Sequence, residues 1–108
     1  MSVTLATVRR LAAAGHVRVS QHGMPELSQD NIGVIDAIAG VAHAVVVQDY
    51  PMYHKGPSVL CLQRDSAGDP LHILWGLAAH NPGIATIITG YRPNPTRWMD
   101  DLKTRRPK

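Results

Sequence analysis

Between Ala44 and Thr89 the chain alternates strand-like runs with turn-rich connections, and this alternation constrains the fold more than any other feature of its 108 residues. The runs are Ala44 to Gln48, Ser58 to Arg64, Leu71 to Ala78 and Ile84 to Thr89. Two of the connections, Ser66-Ala-Gly-Asp-Pro70 and Asn81-Pro-Gly83, consist of residues that favour turns. Connections this short join antiparallel neighbours, because parallel strands need a crossover of about a dozen residues. The expected sheet is therefore a four-stranded antiparallel meander.

The segment before it reads as helical. Leu5, Val8, Leu11 and Ala12 recur at helical spacing, with Gly15 as a C-terminal stop. Val17 and Val19 alternate with Arg18 and Ser20, so His16 to Ser20 is short and extended. Ser28 is the expected N-cap of a second helix, with Leu27 stapling onto Ile32. Ile32, Ile35 and Ile38 then face the core until Gly40. The fold class is α+β: two N-terminal helices packed on the sheet, in one domain spanning 1–108. Its folded core covers about residues 2–99, and residues 100–108 form a basic tail.

No apolar run approaches the ~20 residues a membrane span needs. The N-terminal charges follow the apolar residues rather than precede them, unlike a signal peptide. Cys61 is the only cysteine, so no internal disulfide can form, which fits a cytoplasmic protein. It sits in an apolar run as a small hydrophobe.

The formal net charge is +3. Six of the eleven basic residues lie from Arg92 onward: Arg92, Arg97, Lys103, Arg105, Arg106 and Lys108. A basic end suits a polyanion or an acidic protein. The last strand empties into Tyr91-Arg92-Pro93-Asn94-Pro95-Thr96-Arg97-Trp98, where the prolines hold the chain extended. Arginine clamps phosphate oxygens and aromatic rings stack on bases, so Arg97 and Trp98 are candidate RNA contacts. The connection Tyr50-Pro-Met-Tyr-His-Lys-Gly-Pro57 adds Tyr53, His54 and Lys55. In the third run, Leu71, Ile73, Trp75 and Leu77 share one face, which puts His72 on the other, less bulky one. His22, His54 and His72 lack the spacing of zinc-enzyme motifs, so no metal is expected.

The order Ser20-Gln-His22, Glu26-Leu27, Asp30-Asn31-Ile32, Asp49-Tyr50-Pro51, Lys55-Gly56-Pro57, Pro70-Leu-His72 and Thr89-Gly-Tyr91-Arg92-Pro93 with Trp98 resembles the bacterial domain-of-unknown-function family 4258. The resemblance runs from about His16 to Trp98. Where many members carry an arginine shortly before the isoleucine that opens the second helix, this chain has Asp30-Asn31. The resemblance implies a RelE-like or barnase-like ribonuclease fold and the company of a small antitoxin of zinc-finger type. It implies a metal-independent endoribonuclease that needs no cofactor. In that chemistry the 2′-hydroxyl attacks the adjacent phosphate, so a base, an acid and a cationic clamp are required. His72 or His22 is the expected base or acid, Lys55 and Arg92 the clamp, and Tyr91 a proton donor or stacking platform. The alternative is a non-catalytic module of the same fold that binds RNA or a protein.

Overall fold

The computed structural model describes residues 2–107, which form three α-helices, one 3-10 turn and a five-stranded sheet. Helix α1 (Val3–Ala13) starts where the Ser2 hydroxyl accepts the Leu5 N–H at 3.0 Å. It ends at Gly15, whose φ of 80° turns the chain out of the helix. Leu5, Val8 and Leu11 are buried along one face of this helix. The expected second helix is two helices, α2 (Gly23–Gln29) and α3 (Val34–Ala39). Asn31, at φ 58°, breaks the path between them, a conformation asparagine tolerates better than most residues. Ser28 consequently lies inside α2 and is not an N-cap. The break also rotates the apolar stripe: Ile32 is buried, but Ile35 is 79% exposed. A 3-10 turn, Gly40–His43, then leads into the sheet.

The strands are β1 (Val17–Val19), β2 (Val45–Tyr50), β3 (Ser58–Arg64), β4 (Pro70–Ala78) and β5 (Asn81–Tyr91), in the spatial order β1-β5-β4-β3-β2. Strands β2 to β5 are the expected antiparallel meander. The fifth strand is a correction, since β1 pairs in parallel with β5 through Val17–Ala85, Arg18–Thr86 and Val19–Ile87. The alternation of Val17 and Val19 marks this segment as extended, but it holds no trace of a partner so far along the chain. A second correction concerns Asn81-Pro-Gly83, which opens β5 instead of forming the turn. The register slips there, Leu77 facing Ala85 and Ala78 facing Asn81, so Pro82 sits in an irregularity where its missing N–H does no harm.

All helices cover one face of the sheet. Val59, Cys61, Leu71, Ile73, Trp75, Ala85 and Ile87 point into that core and meet Leu5, Val8, Leu11, Leu27 and Ala37. Burying a side chain such as Leu27 or Ile73 contributes roughly 1.5–3 kcal/mol. Gly90 allows the close approach of α2, since a Cβ there would lie 2.5 Å from Leu27 and 2.7 Å from Ile73. Gln63 is buried on this side and fully engaged: its Nε2 donates to the Ala37 carbonyl at 2.8 Å, and its Oε1 accepts from the Trp75 indole at 2.7 Å. No helix is long and apolar enough to cross a membrane, among the described residues.

The segment expected as a basic tail folds back on the opposite face. Trp98 and Arg105 form an antiparallel bridge, and Arg106 N–H donates to the Arg97 carbonyl at 2.9 Å. Asp101 closes the turn between them by accepting from the Lys103 and Thr104 amides and the Thr104 hydroxyl. These bonds favour the carboxylate and hold the Asp101 carboxyl below its usual range. Leu102 takes φ 58° at the tip.

Candidate functional site

The residues of the helix-free face follow from the pleat, because alternate side chains leave a strand on opposite sides. Arg18, Thr86, Gly76 and Ser58 lie in one cross-strand row, and Leu74 with Leu60 in the next. Ile88 is the extra residue where the β4–β5 register slips after Leu74, so it stands over Gly76 on this same side. No helix packs here, and the result is a shallow trough.

Four adjoining hollows make up that trough and its margin. One, about 320 Å³, is lined by Arg18, Ser20, Tyr53, Lys55, Thr86 and Ile88 among others. The next, about 370 Å³, is lined by Tyr50, Tyr53, Tyr91, Leu60, Leu74 and Thr89 among others. A third, about 340 Å³, runs from Tyr50 and Gln48 to Lys103 and Arg105. The last, about 380 Å³, lies beyond Tyr91 and holds Asn94, Arg97 and Arg105. Tyr53 and Ile88 are shared by the first two, Tyr50 and Leu60 by the second and third, and Tyr91 by the second and fourth. All three tyrosines of the chain thus line the middle, while Arg18 and Lys55 stand at one end and Lys103, Arg105 and Arg97 at the other. No aspartate or glutamate lines any of the four hollows.

The loop carrying Tyr53 and Lys55 is fixed by its backbone. The Lys55 carbonyl accepts from Ala79 N–H at 3.3 Å and the Pro57 carbonyl from Leu77 N–H at 2.9 Å. Gly56, at φ 121°, passes so close to β4 that a Cβ there would lie 2.0 Å from the Leu77 carbonyl oxygen. The exposed loop is therefore a built feature of the sheet edge. Tyr53 packs against His54, ring centres 4.6 Å apart, so His54 supports the tyrosine from outside the trough.

His72 is placed differently from the expectation of an open face. It is fully buried, because the Trp98–Arg105 hairpin covers it. Its Nε2 lies 2.7 Å from the Leu102 carbonyl oxygen, and its Nδ1 lies 3.1 Å from the Tyr91 hydroxyl. A carbonyl only accepts, so Nε2 carries the proton and Nδ1 accepts from Tyr91. Burial pushes the His72 pKa down; the Leu102 bond opposes that, and the nearby charge of Arg105 adds to it. Burial likewise raises the Tyr91 pKa, with Arg105 opposing. A neutral imidazole behind a neutral phenol is the resting state. Trp98, expected as an RNA contact, is only 5% exposed. It stands edge-on to His72 at 4.5 Å between ring centres and carries the Arg105 guanidinium 4.9 Å over its own ring.

Arg92 is likewise bound into the fold. Its Nη1 pairs with Asp65 at 3.0 Å, its Nε donates to the Asp30 carbonyl at 3.0 Å, and its Nη2 donates to the Asn31 carbonyl at 3.2 Å. Its backbone N–H donates to the Asp30 carboxylate at 2.8 Å. The guanidinium thus joins the end of β5 to the α2–α3 break and to the β3–β4 turn. Asp65 accepts further from the Ala67 and Asp69 amides, and these bonds with Arg92 hold its carboxyl below its usual range. His22 is exposed at the start of α2 and lines none of the four hollows.

The trough therefore gathers Lys55, Tyr53, Tyr91 and Arg97 of the expected residues, with Arg92 on its margin. It leaves out His22 and His54 and seals His72 beneath the hairpin, while Trp98, itself in the hairpin and nearly buried, lines the two hollows on either side of it. Arg18, Tyr50, Lys103 and Arg105 are the additions. Arg18 had a signal in the Val17–Val19 alternation, and Tyr50 in the aromatic loop. Among the described residues no cluster of three metal-ligating side chains occurs.

Compared with known proteins, residues 19–92 match the model of a family described as Domain of unknown function (DUF4258). No curated protein and no solved structure matches the chain.

Proposed function

The chain belongs to the DUF4258 family, and from its geometry we propose that it binds single-stranded RNA along the helix-free face of its sheet. One observation carries this reading: a continuous trough has three tyrosines in its middle, basic side chains at both ends and no carboxylate in its lining. Tyr50 and Tyr53 are 43% and 47% exposed, so their rings are available to a base. Stacking on an aromatic ring is worth ~1–3 kcal/mol per base and tolerates any sequence. The cations at the two ends suit the phosphates on either side. The Ser58 hydroxyl and the Gln48 amide line the same surface and can pair with a 2′-hydroxyl, whereas the Thr89 hydroxyl already donates to the Glu26 carboxylate beside the trough.

The test is titration of labelled oligouridylate and its DNA counterpart at several salt concentrations. Tyr53→Ala should weaken binding by ~5-fold or more at every salt concentration, as expected for a lost stack. Lys55→Ala should lower the steepness of the salt dependence by ~0.7, the single-strand value for one phosphate contact. Equal binding by wild type and both variants would overturn the reading.

A second reading, metal-independent cleavage of that RNA, is favoured by Tyr91, whose phenol lines the trough while its hydroxyl meets His72. Here the Tyr91 oxygen takes the 2′-hydroxyl proton as Tyr91 passes its own to Nδ1 of His72; the 2′-oxygen bonds to phosphorus, the bond to the 5′-oxygen breaks, and water in the open trough protonates that oxygen while Lys55 holds the phosphate. Products with 2′,3′-cyclic or 3′-phosphate ends in the presence of a chelator, lost at least ~100-fold in Tyr91→Phe, support it. Intact RNA leaves binding alone. The toxin role further requires that expression slows growth and that a neighbouring antitoxin restores it. Full tolerance with no complex in a pull-down removes that role.

A further inference from the structure

The hollow beyond Tyr91 has a composition of its own. It measures about 380 Å³ and is lined by Tyr91, Arg92, Asn94, Arg97, Trp98 and Arg105. Four of these six lie after residue 92, outside the stretch that matches the family. The hollow is thus a product of the C-terminal hairpin, whereas the trough is a product of the sheet.

Its three arginines are not equivalent. Arg92 is held by Asp65 and two carbonyls. Arg97 is exposed, and its guanidinium meets no acceptor and no carboxylate among the described residues. Arg105 lies over the Trp98 ring at 4.9 Å, a contact that fixes its position without neutralising its charge. That charge is felt nearby, since Arg105 lowers the pKa of both His72 and Tyr91. Asn94 completes the set. Its Oδ1 accepts from the Thr96 amide and hydroxyl, both at 2.9 Å, which orients the side chain and leaves Nδ2 as a donor with no partner among the described residues.

The walls are also rigid. Arg97 N–H donates to the Asn94 carbonyl at 2.9 Å, and Arg106 N–H to the Arg97 carbonyl at 2.9 Å. Arg106 Nε donates to the Pro95 carbonyl at 2.8 Å. Two prolines, Pro93 and Pro95, stiffen the same segment. Arg105 is fixed over Trp98 in advance and Arg97 rises from a fixed backbone, so a small anion has only the Arg97 side chain to order. Planar guanidinium groups match the oxygens of a tetrahedral phosphate in pairs.

We propose that this hollow is a phosphate-binding site, with Arg97 and Arg105 as the charge-bearing ligands and Asn94 as a neutral donor. Tyr91 lines both this hollow and the trough, so the phosphate at the end of an RNA strand lying in the trough can enter it. A free phosphate compound offers the same chemistry. The inference does not depend on the trough binding RNA.

The experiment is calorimetric titration of the full chain with inorganic phosphate at fixed ionic strength, beside oligouridylate carrying a 5′-phosphate, a 3′-phosphate or neither. Arg97→Gln changes an exposed side chain that makes no hydrogen bond or ion pair among the described residues, so the fold is kept, and Arg10→Gln on α1 is the control. Phosphate binding at least ~5-fold weaker in Arg97→Gln and unchanged in Arg10→Gln is the expected result. Binding that is identical in wild type and Arg97→Gln, or absent from wild type, overturns the proposal. An end phosphate that tightens oligouridylate binding in wild type but not in Arg97→Gln assigns the ligand to an RNA end. Tight phosphate binding with no such gain assigns it to a free phosphate compound. Failure of the unphosphorylated oligomer alone counts against the trough, not against this hollow.

Discussion

The Tyr91 hydroxyl lies 3.1 Å from Nδ1 of His72, while Nε2 on the other side of the ring donates to the Leu102 carbonyl at 2.7 Å. One imidazole thus ties the last residue of β5 to the tip of the C-terminal hairpin. Both of its nitrogens are used in the neutral state, and a second proton on Nδ1 would reverse the Tyr91 bond, leaving the phenol oxygen to accept. The pairing links the exposed trough, through Tyr91, to a position no solvent reaches.

Stability should therefore depend on the protonation of His72. Burial depresses its pKa below the ordinary histidine value of 6.5. The unfolded chain then takes up the proton first as pH falls, so the contribution of His72 is complete above pH 6.5 and declines below it. Denaturant melts at pH 8 and pH 5.5 measure this. His72→Gln should lose part of the decline on acidification. A decline identical to wild type would separate acid sensitivity from this residue.

Arg92 should behave as a fastening of the fold. Arg92→Ala removes the donors that the Asp30 and Asn31 carbonyls accept and the partner of Asp65. The expected cost is roughly 1–3 kcal/mol of stability, typical of lost hydrogen bonds to a charged group. Arg92→Lys should restore little, because an ammonium cannot reach three acceptors in the geometry of a guanidinium fork. Thermal melts of the three proteins give the answer. A melting temperature unchanged in Arg92→Ala would instead free this arginine for a role toward ligand.

What the sequence reveals and what it hides divides along lines of distance. The face of β4 is legible because Leu71, Ile73, Trp75 and Leu77 alternate within a single run, and all four point into the core. The break at Asn31 is not, since Ile32, Ile35 and Ile38 keep a helical period right up to it and only a positive φ at one residue interrupts the path. Lys55, Tyr53 and Tyr91 are legible as candidates, and they line the trough, because loops and strand ends concentrate such groups. The commitment of Arg92 depends on Asp30 and Asp65, far apart in the chain, and local pattern holds no trace of that. Similarly, a polar, basic stretch after Trp98 reads as solvated, yet Asp101 and the Trp98–Arg105 bridge fold it over His72.

Cys61 should be inert in the native state. Burial pushes its thiol pKa up to about 12, with Asp49 adding to the rise and Arg9 opposing it. The thiolate is the reactive form. Alkylation with iodoacetamide at pH 8 should therefore track unfolding, slow in buffer and fast in denaturant. Rapid modification of the folded protein would mean that the core around β3 opens far more easily than its packing implies.

Gly56 ties the trough to the fold most directly. Its φ is 121°, a region that an L side chain rarely adopts, and an added Cβ would lie 2.0 Å from the Leu77 carbonyl oxygen and 2.9 Å from Ala79 N. Gly56→Ala must push the loop away from β4, breaking the Lys55–Ala79 and Pro57–Leu77 backbone bonds. Strain of this kind costs about 1–3 kcal/mol. The same displacement moves Tyr53 and Lys55, so RNA affinity should fall along with stability. Gly83→Ala is the matched control: its Cβ would meet only the Asn81 side chain at 3.8 Å, an ordinary contact. Its stability should stay within about 0.5 kcal/mol of wild type. Measuring melts and oligouridylate affinity on both variants separates two cases. A Gly56→Ala protein that is destabilised yet binds RNA as well as wild type would show that the loop takes no part in recognition. Loss of affinity at a temperature where the variant is still fully folded would tie recognition to the loop's position.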